Sequence, residues 1–349
     1  MPHWKNYFIL ILVRFFQLFE GQIHEGRGEP NRFLIVSTTG LGDTLWATPA
    51  IRALRESHPD AYIGCLTTPL GASVLQNNPH LNELFIFRGV PSLIKLYFNL
   101  KKKKIGTVLL FHTSQRALLP LCCVIGATKL VGTKGLQKGL DTLLTEAIPW
   151  NFSHEIERRL DLVRAAGAKP TTYHLEFFIT ETDRASVPEK FAVGLHPGAK
   201  DRFKQWPPSY FVKVGEKLRK KTGCDIIVTG TPHEKELVDS ICREIEGAIA
   251  VIEPLNIMGA VLEKLTLFIT NDTGPLHLAL AMKTPTIALF SPTNPAICGP
   301  YHNTTAQVFY RPPTCRPCLK KKCRDPFCMR QISPDEVIQA ASEKLKARV

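Results

Sequence analysis

From Arg32 onward the chain alternates short apolar runs with stretches of helical period. Phe33–Ser37 is near-continuously apolar and reads as a buried strand; Thr48–Ser57 follows as a helix. Further strands are predicted over Ala61–Thr67, Leu84–Phe87, Thr107–Phe111 and Lys129–Val131. Helices are predicted over Ala117–Ile125 and over His154–Ala166, the second ended by Gly167. A second series begins with strand Phe191–His196 and continues through helix Ser209–Lys221, strand Asp225–Thr229 and helix Glu234–Glu244. It goes on with strand Ala248–Ile252, helix Ile257–Leu265, strand Leu267–Thr270, helix Pro275–Met282 and strand Thr286–Phe290. Apolar strands alternating with helices imply parallel sheets covered on both faces. Two such series, parted by the polar stretch Thr180–Lys190, predict two doubly wound, Rossmann-like domains. Ligands are then expected at the carboxyl ends of the strands, in a cleft where the domains face each other.

Length supports that division, since 349 residues exceed the ~250–300 at which single cores stop growing. Hydrophobic residues make up 44% and charged residues 21%, enough to bury two cores. The formal net charge of +13 favours anionic partners, whether phosphates or a membrane surface. Nucleic acid is not expected, because no basic stretch carries interleaved aromatics and no zinc-finger histidine pair appears. The run Lys101–Lys104 reads as a solvated face. Residues 1–30 form an amino-terminal extension with apolar Tyr7–Val13, then Arg14, Phe15, Phe16, Leu18 and Phe19. No small-residue cleavage site follows, which argues against a signal peptide. The extension reads either as an aromatic helix in a membrane interface or as one packed on the protein's own surface. Gly21–Pro30 reads as a linker. Cys65, Cys122, Cys123, Cys224, Cys242 and Cys298 mostly lie in apolar or small-residue contexts that suit buried free thiols.

Four segments carry candidate chemistry. Ser37-Thr-Thr-Gly-Leu-Gly-Asp43 joins a strand to a helix; Gly40 and Gly42 allow a tight turn, and Asp43 sits where the helix begins. Asp43 there can cap the helix or act as a general base. A dinucleotide fingerprint would need glycine at position 45, where Leu45 stands, so a nicotinamide enzyme is disfavoured. His196-Pro-Gly-Ala-Lys-Asp-Arg-Phe-Lys-Gln-Trp-Pro207 places Lys204 ahead of a helix that Pro207 can open, a position suited to phosphate. Thr270-Asn-Asp-Thr-Gly-Pro-Leu-His277 offers free amides at a helix start, with Thr273 and Gly274 beside them. Cys315-x2-Cys318-x4-Cys323-x4-Cys328 has metal-site spacing in kind; zinc, an iron–sulfur cluster and reduced structural thiols all remain open.

In their order and spacing, Gly40-Leu-Gly-Asp43 followed by Pro49, Lys204-Gln-Trp-Pro, and Asn271-Asp-Thr-Gly-Pro-Leu-His277 resemble the bacterial lipopolysaccharide heptosyltransferases of glycosyltransferase family 9. The resemblance runs from about Arg32 to the closing helix and includes the Cys-rich segment. It implies an α/β, GT-B fold. Residues 31–180 would form the acceptor domain and 190–333 the nucleotide-sugar domain, with the Cys-rich segment at 315–328 and a closing helix at 334–349. It implies inverting, metal-independent transfer from ADP-heptose to a lipid-linked, Kdo-lipid A or heptosyl-Kdo acceptor, with no cofactor needed for catalysis. By similarity Asp43 would be the general base, and Lys204, Asp272, Thr273, Gly274 and His277 would hold the donor. The family's ribose glutamate falls on Thr229-Gly-Thr-Pro-His-Glu234, making Glu234 its candidate. Ser114 and Arg116, after strand Thr107–Phe111, are candidate acceptor contacts. Any zinc at Cys315, Cys318, Cys323 and Cys328 would be structural. Place of work would be the cytoplasmic side of the inner membrane, held peripherally to its anionic surface.

Overall fold

The computed structural model describes residues 6–7, 9–11, 13–15, 28–113, 115–188, 192–315, 318, 323 and 327–346. The chain divides into two compact units, Met1–Tyr173 and His174–Val349. Each is built on a six-stranded sheet in which every neighbouring pair runs parallel.

In the amino-terminal unit the strands are β1 (Glu29–Thr38), β2 (Tyr62–Thr67), β3 (Glu83–Ile86), β4 (Ile105–Thr113), β5 (Lys129–Thr133) and β6 (Glu146–Ile148). Their spatial order is β3-β2-β1-β4-β5-β6. The helices are α1 (Leu41–Leu45), α2 (Thr48–Ser57), α3 (Pro69–Leu75), α4 (Leu93–Lys101), α5 (Leu118–Val124) and α6 (Glu155–Ala165). Strand β1 lies between β2 and β4, so the order reverses at its carboxyl end, where the Gly40–Asp43 segment leaves the sheet. Residues 6–7, 9–11 and 13–15 are helical. Val13 is buried in a cluster with Leu34 and Val36 of β1, Val108 and Leu110 of β4, Leu96 and Leu100 of α4, and Leu118 of α5. The amino-terminal helix, α4 and α5 thus share one core.

The carboxyl-terminal unit repeats the plan. Its strands are β7 (Ala192–His196), β8 (Asp225–Thr229), β9 (Ile249–Val251), β10 (Leu267–Asn271), β11 (Thr286–Phe290) and β12 (Ala306–Tyr310), in the order β12-β11-β10-β7-β8-β9. The helices are α7 (Glu181–Ala185), α8 (Pro208–Thr222), α9 (Lys235–Glu244), α10 (Leu255–Lys264), α11 (Gly274–Ala281), α12 (Pro295–Cys298), α13 (Phe327–Arg330) and α14 (Pro334–Lys346). Here β7 lies between β8 and β10, and the reversal falls at His196. Trp206, Phe211, Val228, Ile269, Met329 and Val337 belong to the main core.

The doubly wound architecture is the one the alternation of the sequence predicts. Helices α3 and α4, the short helices α7, α12 and α13, and strands β6 and β12 were not predicted. Both missed strands are edge strands with half-exposed faces, so neither presents an apolar run. Strand β1 begins at Glu29, inside the segment read as a linker, because Glu29 pairs with Ile105 at the start of β4. The stretch Thr180–Lys190 contains α7, capped reciprocally by Thr180 and Asp183 and packed on α10. Among the described residues no helix is long and apolar enough to cross a membrane.

Candidate functional site

Of the three glycine-bearing turns predicted to carry chemistry, the one at Gly40–Asp43 follows β1 and the one at His196–Gly198 follows β7, the strands at the order reversals, where doubly wound sheets leave a crevice for ligands; the turn at Asp272–Gly274 follows the neighbouring β10. In the first unit, Gly40 is the N-cap of α1, with extended backbone, and its carbonyl accepts from Thr44 N–H at 3.1 Å. Asp43 is therefore the third residue of the helix, not its cap. Neither Gly40 nor Gly42 has positive φ. What Gly40 provides is open space, since a Cβ there would meet only Asp43 Oδ2, at 3.7 Å.

The carboxylate of Asp43, 29% exposed, is held from behind by Arg159 of α6, whose side chain is 0% exposed. Arg159 Nη2 donates to Asp43 Oδ1 at 3.3 Å, and its Nη1 donates to the Glu155 carbonyl and to Glu155 Oε2, both at 2.7 Å. Arg159 also stacks over the Trp46 ring at 5.6 Å. Arg158 donates to Glu155 Oε2, to the Phe111 carbonyl near the end of β4, and to His112 Nδ1. Burial alone would raise the Glu155 carboxyl; Arg159 and Arg158 outweigh it and hold it down at about 2. Burial also depresses His112, and the two arginines add to that against the pull of Asp43 and Glu155, so the imidazole is neutral at pH 7. Arg159, Glu155, Arg158 and His112 were missed from the sequence. An Arg-Arg pair three and four residues after a glutamate reads as the wet face of an amphipathic helix; only the tertiary placement of α6 turns it inward.

The acceptor candidates fare differently. Arg116 donates to Asn6 Oδ1 at 2.8 Å and so ties the turn before α5 to the amino-terminal helix. Ser114 lies outside the described residues.

In the second unit the chain after β7 forms a 3₁₀ turn, Arg202–Lys204, and then buries Trp206 completely. Asn271, at the end of β10, accepts from Trp206 N–H at 3.0 Å and donates to the Pro197 carbonyl at 2.8 Å, clamping both ends of this loop. The clamp sets Lys204 beside Asp272, with Nζ donating to Oδ2 at 2.6 Å; Lys204 is 21% exposed and Asp272 6%. Thr273 is the N-cap of α11 but makes no side-chain cap bond, and Gly274 and Pro275 form its first turn. His277 is buried, 3% exposed, one turn in. Pro207 is the N-cap of α8, and Pro208, not Pro207, opens it.

Glu234 belongs to the same neighbourhood. It accepts from Thr231 N–H at 2.9 Å and Thr231 Oγ1 at 2.8 Å, and its carboxylate lies against Gly198 in the β7 loop. Buried His196 hydrogen-bonds Thr229 Oγ1 through Nδ1 at 2.9 Å. Burial pushes its imidazole down to about 4, against the opposing pull of Glu234. The structure thus brings Lys204, Asp272, Thr273, Gly274 and Glu234 to adjoining loops at one sheet end.

The cysteines separate as the sequence suggests. Cys65, Cys122, Cys123, Cys224 and Cys298 are buried free thiols, and Cys242 is half-buried. Cys315, Cys318, Cys323 and Cys328 are likewise in no disulfide. Partial burial and the neighbouring thiols of Cys315, Cys328 and Cys323 raise the Cys318 thiol. Among the described residues, however, no three His, Cys, Asp or Glu side chains are grouped as metal ligands.

Residues 99–327 match the model of glycosyltransferase family 9 (heptosyltransferase). Over 320 residues the chain is 26% identical to lipooligosaccharide heptosyltransferase 2 of Campylobacter jejuni, covering 88% of this chain and 96% of that protein. The solved structure of Escherichia coli ADP-heptose lps heptosyltransferase II superposes with a TM-score of 0.77 at 18% identity, covering 91% of this chain and 99% of that one. That of E. coli heptosyltransferase WaaC with ADP gives 0.74 at 19% identity, covering 90% and 99%.

Proposed function

Because the chain belongs to glycosyltransferase family 9, the heptosyltransferases, and has their GT-B fold, we propose that it transfers heptose from ADP-heptose to an inner-core lipopolysaccharide acceptor with inversion at the anomeric carbon. Asp43 takes the proton of the attacking acceptor hydroxyl. The freed oxygen bonds to the anomeric carbon as the bond to the β-phosphate oxygen breaks, and ADP leaves from the opposite face. Lys204 and the first-turn amides of α11 offset the charge that gathers on the leaving diphosphate. Glu234 accepts hydrogen bonds from the ribose hydroxyls. The relatives' names support this substrate class: lipooligosaccharide heptosyltransferase 2 names the reaction, and WaaC was solved with ADP.

The observation that carries the reading is the Asp43 carboxylate, partly exposed, fixed from behind by a fully buried arginine and fronted by bare Gly40. A capping aspartate would need no such clamp. A base requires a fixed direction toward its proton. A lipid-linked acceptor also places the enzyme at the cytoplasmic face of the inner membrane.

The test is ADP release from ADP-heptose with a Kdo-lipid A acceptor, comparing the full chain with Asp43→Asn. Release by the wild type alone establishes donor, reaction and base together. ADP-heptose binding with no turnover on Kdo-lipid A or on heptosyl-Kdo-lipid A would point instead to a nucleotide-sugar-binding relative. Turnover only with a different nucleotide sugar would redefine the donor.

A further inference from the structure

Helix α4 buries Leu96 and Leu100 in the core of the amino-terminal unit, yet its opposite face is also apolar. Ile94 is 72% exposed and Phe98 57%, and Val90 in the preceding turn is 70% exposed. Lys95 and Lys102 are exposed as well. At 3.6 residues per turn, Ile94, Lys95, Phe98 and Lys102 fall within about 100° of one another, so aromatic, aliphatic and ammonium groups share one stripe.

The amino-terminal helix shows the same doubling. Val13 is buried, and Ile9 and Leu10 pack against the core shared with α4. Tyr7, Ile11 and Phe15, spaced by four, are 61%, 64% and 57% exposed, and Arg14 is exposed beside them. Asn6 bonds the Lys138 carbonyl, which fixes the helix in rotation. The self-packed reading of this extension fits the inner face of the described helical residues, and their outer face is the one the interfacial reading would need.

The tetralysine run divides too. Lys103 pairs with Glu83 at 2.5 Å, Lys104 with Glu29 at 3.5 Å, and Lys101 donates to Tyr97 Oη at 2.8 Å. These three have partners within the unit. Lys102 stands exposed on the stripe.

We propose that α4 and the amino-terminal helix together form a docking surface for an anionic lipid bilayer, the exposed apolar side chains entering the headgroup boundary and Lys95, Lys102 and Arg14 meeting lipid phosphates. The charge selects this occupant. Lysine stems lie along an apolar surface and raise their ammonium groups to the headgroup level. Apolar burial with electrostatic attraction is the two-part interaction that holds peripheral proteins. A net charge of +13 adds a long-range field of the same sign. The proposal deepens the reading of a lipid-linked acceptor, but its test involves no turnover.

The full chain is sedimented with vesicles of phosphatidylcholine containing about a third phosphatidylglycerol, and with phosphatidylcholine alone. Three double variants are compared: Ile94→Ser with Phe98→Ser, Lys95→Glu with Lys102→Glu, and Ile11→Ser with Phe15→Ser. All six positions are exposed, so unchanged melting temperatures are expected and are checked. The wild type should partition to anionic vesicles, both apolar variants at least ~10-fold less, and the charge variant should lose its preference for anionic lipid. Wild-type binding that survives intact in the α4 variants overturns the proposal, because the amino-terminal helix then acts alone. So does a wild type that stays in the supernatant, including one that instead associates with itself through this face. ADP release on detergent-dispersed acceptor reports the transferase reading separately, and the α4 variants should retain it.

Discussion

The two switch-point sites are built on opposite charge plans. In the amino-terminal unit the cation is buried and the carboxylate is presented: Arg159 is 0% exposed and Asp43 29%. In the carboxyl-terminal unit the carboxylate is buried and the cation presented: Asp272 is 6% exposed and Lys204 21%. A guanidinium is a rigid fork that fixes its partner in direction, whereas a lysine ammonium is a point charge on a flexible stem. The first plan suits a base that must aim at one proton. The second suits a cation that must release its resting partner when a diphosphate arrives.

Asp43→Asn should have the largest effect. It removes the proton acceptor while keeping the shape, so turnover should fall by ~10²–10⁴-fold with ADP affinity nearly unchanged. Single-turnover ADP release and calorimetry with ADP check the two halves; a variant that turns over at the wild-type rate would remove Asp43 from the role of base.

Next comes the clamp. Arg159→Met leaves Asp43 present but undirected, and turnover should fall by up to ~10²-fold. Because it breaks a buried ion network, it should also lose about 3 kcal/mol of stability in urea. Lys204→Met should act differently, raising the KM for ADP-heptose by roughly 10–100-fold through the loss of a charge-assisted hydrogen bond. If Arg159→Met raised KM and left kcat alone, the contrast between an aimed base and a mobile cation would collapse.

How much of this was legible in the sequence depends on what each residue does. The sheets were, because buried parallel strands are apolar runs. The loops were, because glycine, asparagine and proline punctuate strand ends. Glu155 and Arg159 were not: period alone cannot tell a solvated charged face from one turned against a neighbouring strand end. Strand β12, half-exposed and paired on one side only, offered no apolar run to read. The outward face of α4 was hidden for the opposite reason. Leu93, Ile94, Leu96, Phe98 and Leu100 are apolar on both sides, so no polar face marked where solvent lies.

Two buried groups, His196 and Glu155, should respond to acid in different windows. Burial holds His196 at about 4, below its ordinary 6.5. The unfolded chain therefore takes up that proton first, and stability in the carboxyl-terminal unit should fall as pH drops from about 6.5 to 4, by about 3 kcal/mol. Glu155, held at about 2 instead of 4.5, keeps its charge in the folded state. Its contribution is complete above about pH 4.5 and is lost only as pH falls toward 2. Urea unfolding across pH should show His196→Asn flattening the upper window and Glu155→Gln the lower one; the reverse assignment would contradict the burial each side chain shows.

The smallest effect is expected at Gly198, where the two units differ in what a glycine is for. At Gly40 the absent side chain leaves open space, and Ala would meet only Asp43 Oδ2 at 3.7 Å. At Gly198 the space is filled: a Cβ would lie 2.1 Å from Glu234 Oε1. The obstructing atom ends a flexible side chain, so the fold can yield by turning Glu234 away, at the expense of its bonds to Thr231. Gly198→Ala should therefore change stability by less than about 1 kcal/mol, since only an exposed cap bond is disturbed. The KM for ADP-heptose should rise several-fold while kcat holds, because the displaced carboxylate no longer meets the ribose. Gly40→Ala, which displaces nothing in the second unit, should leave that KM unchanged. Equal KM in both variants would remove Glu234 from the donor site and leave Lys204 and the start of α11 to hold the nucleotide without it.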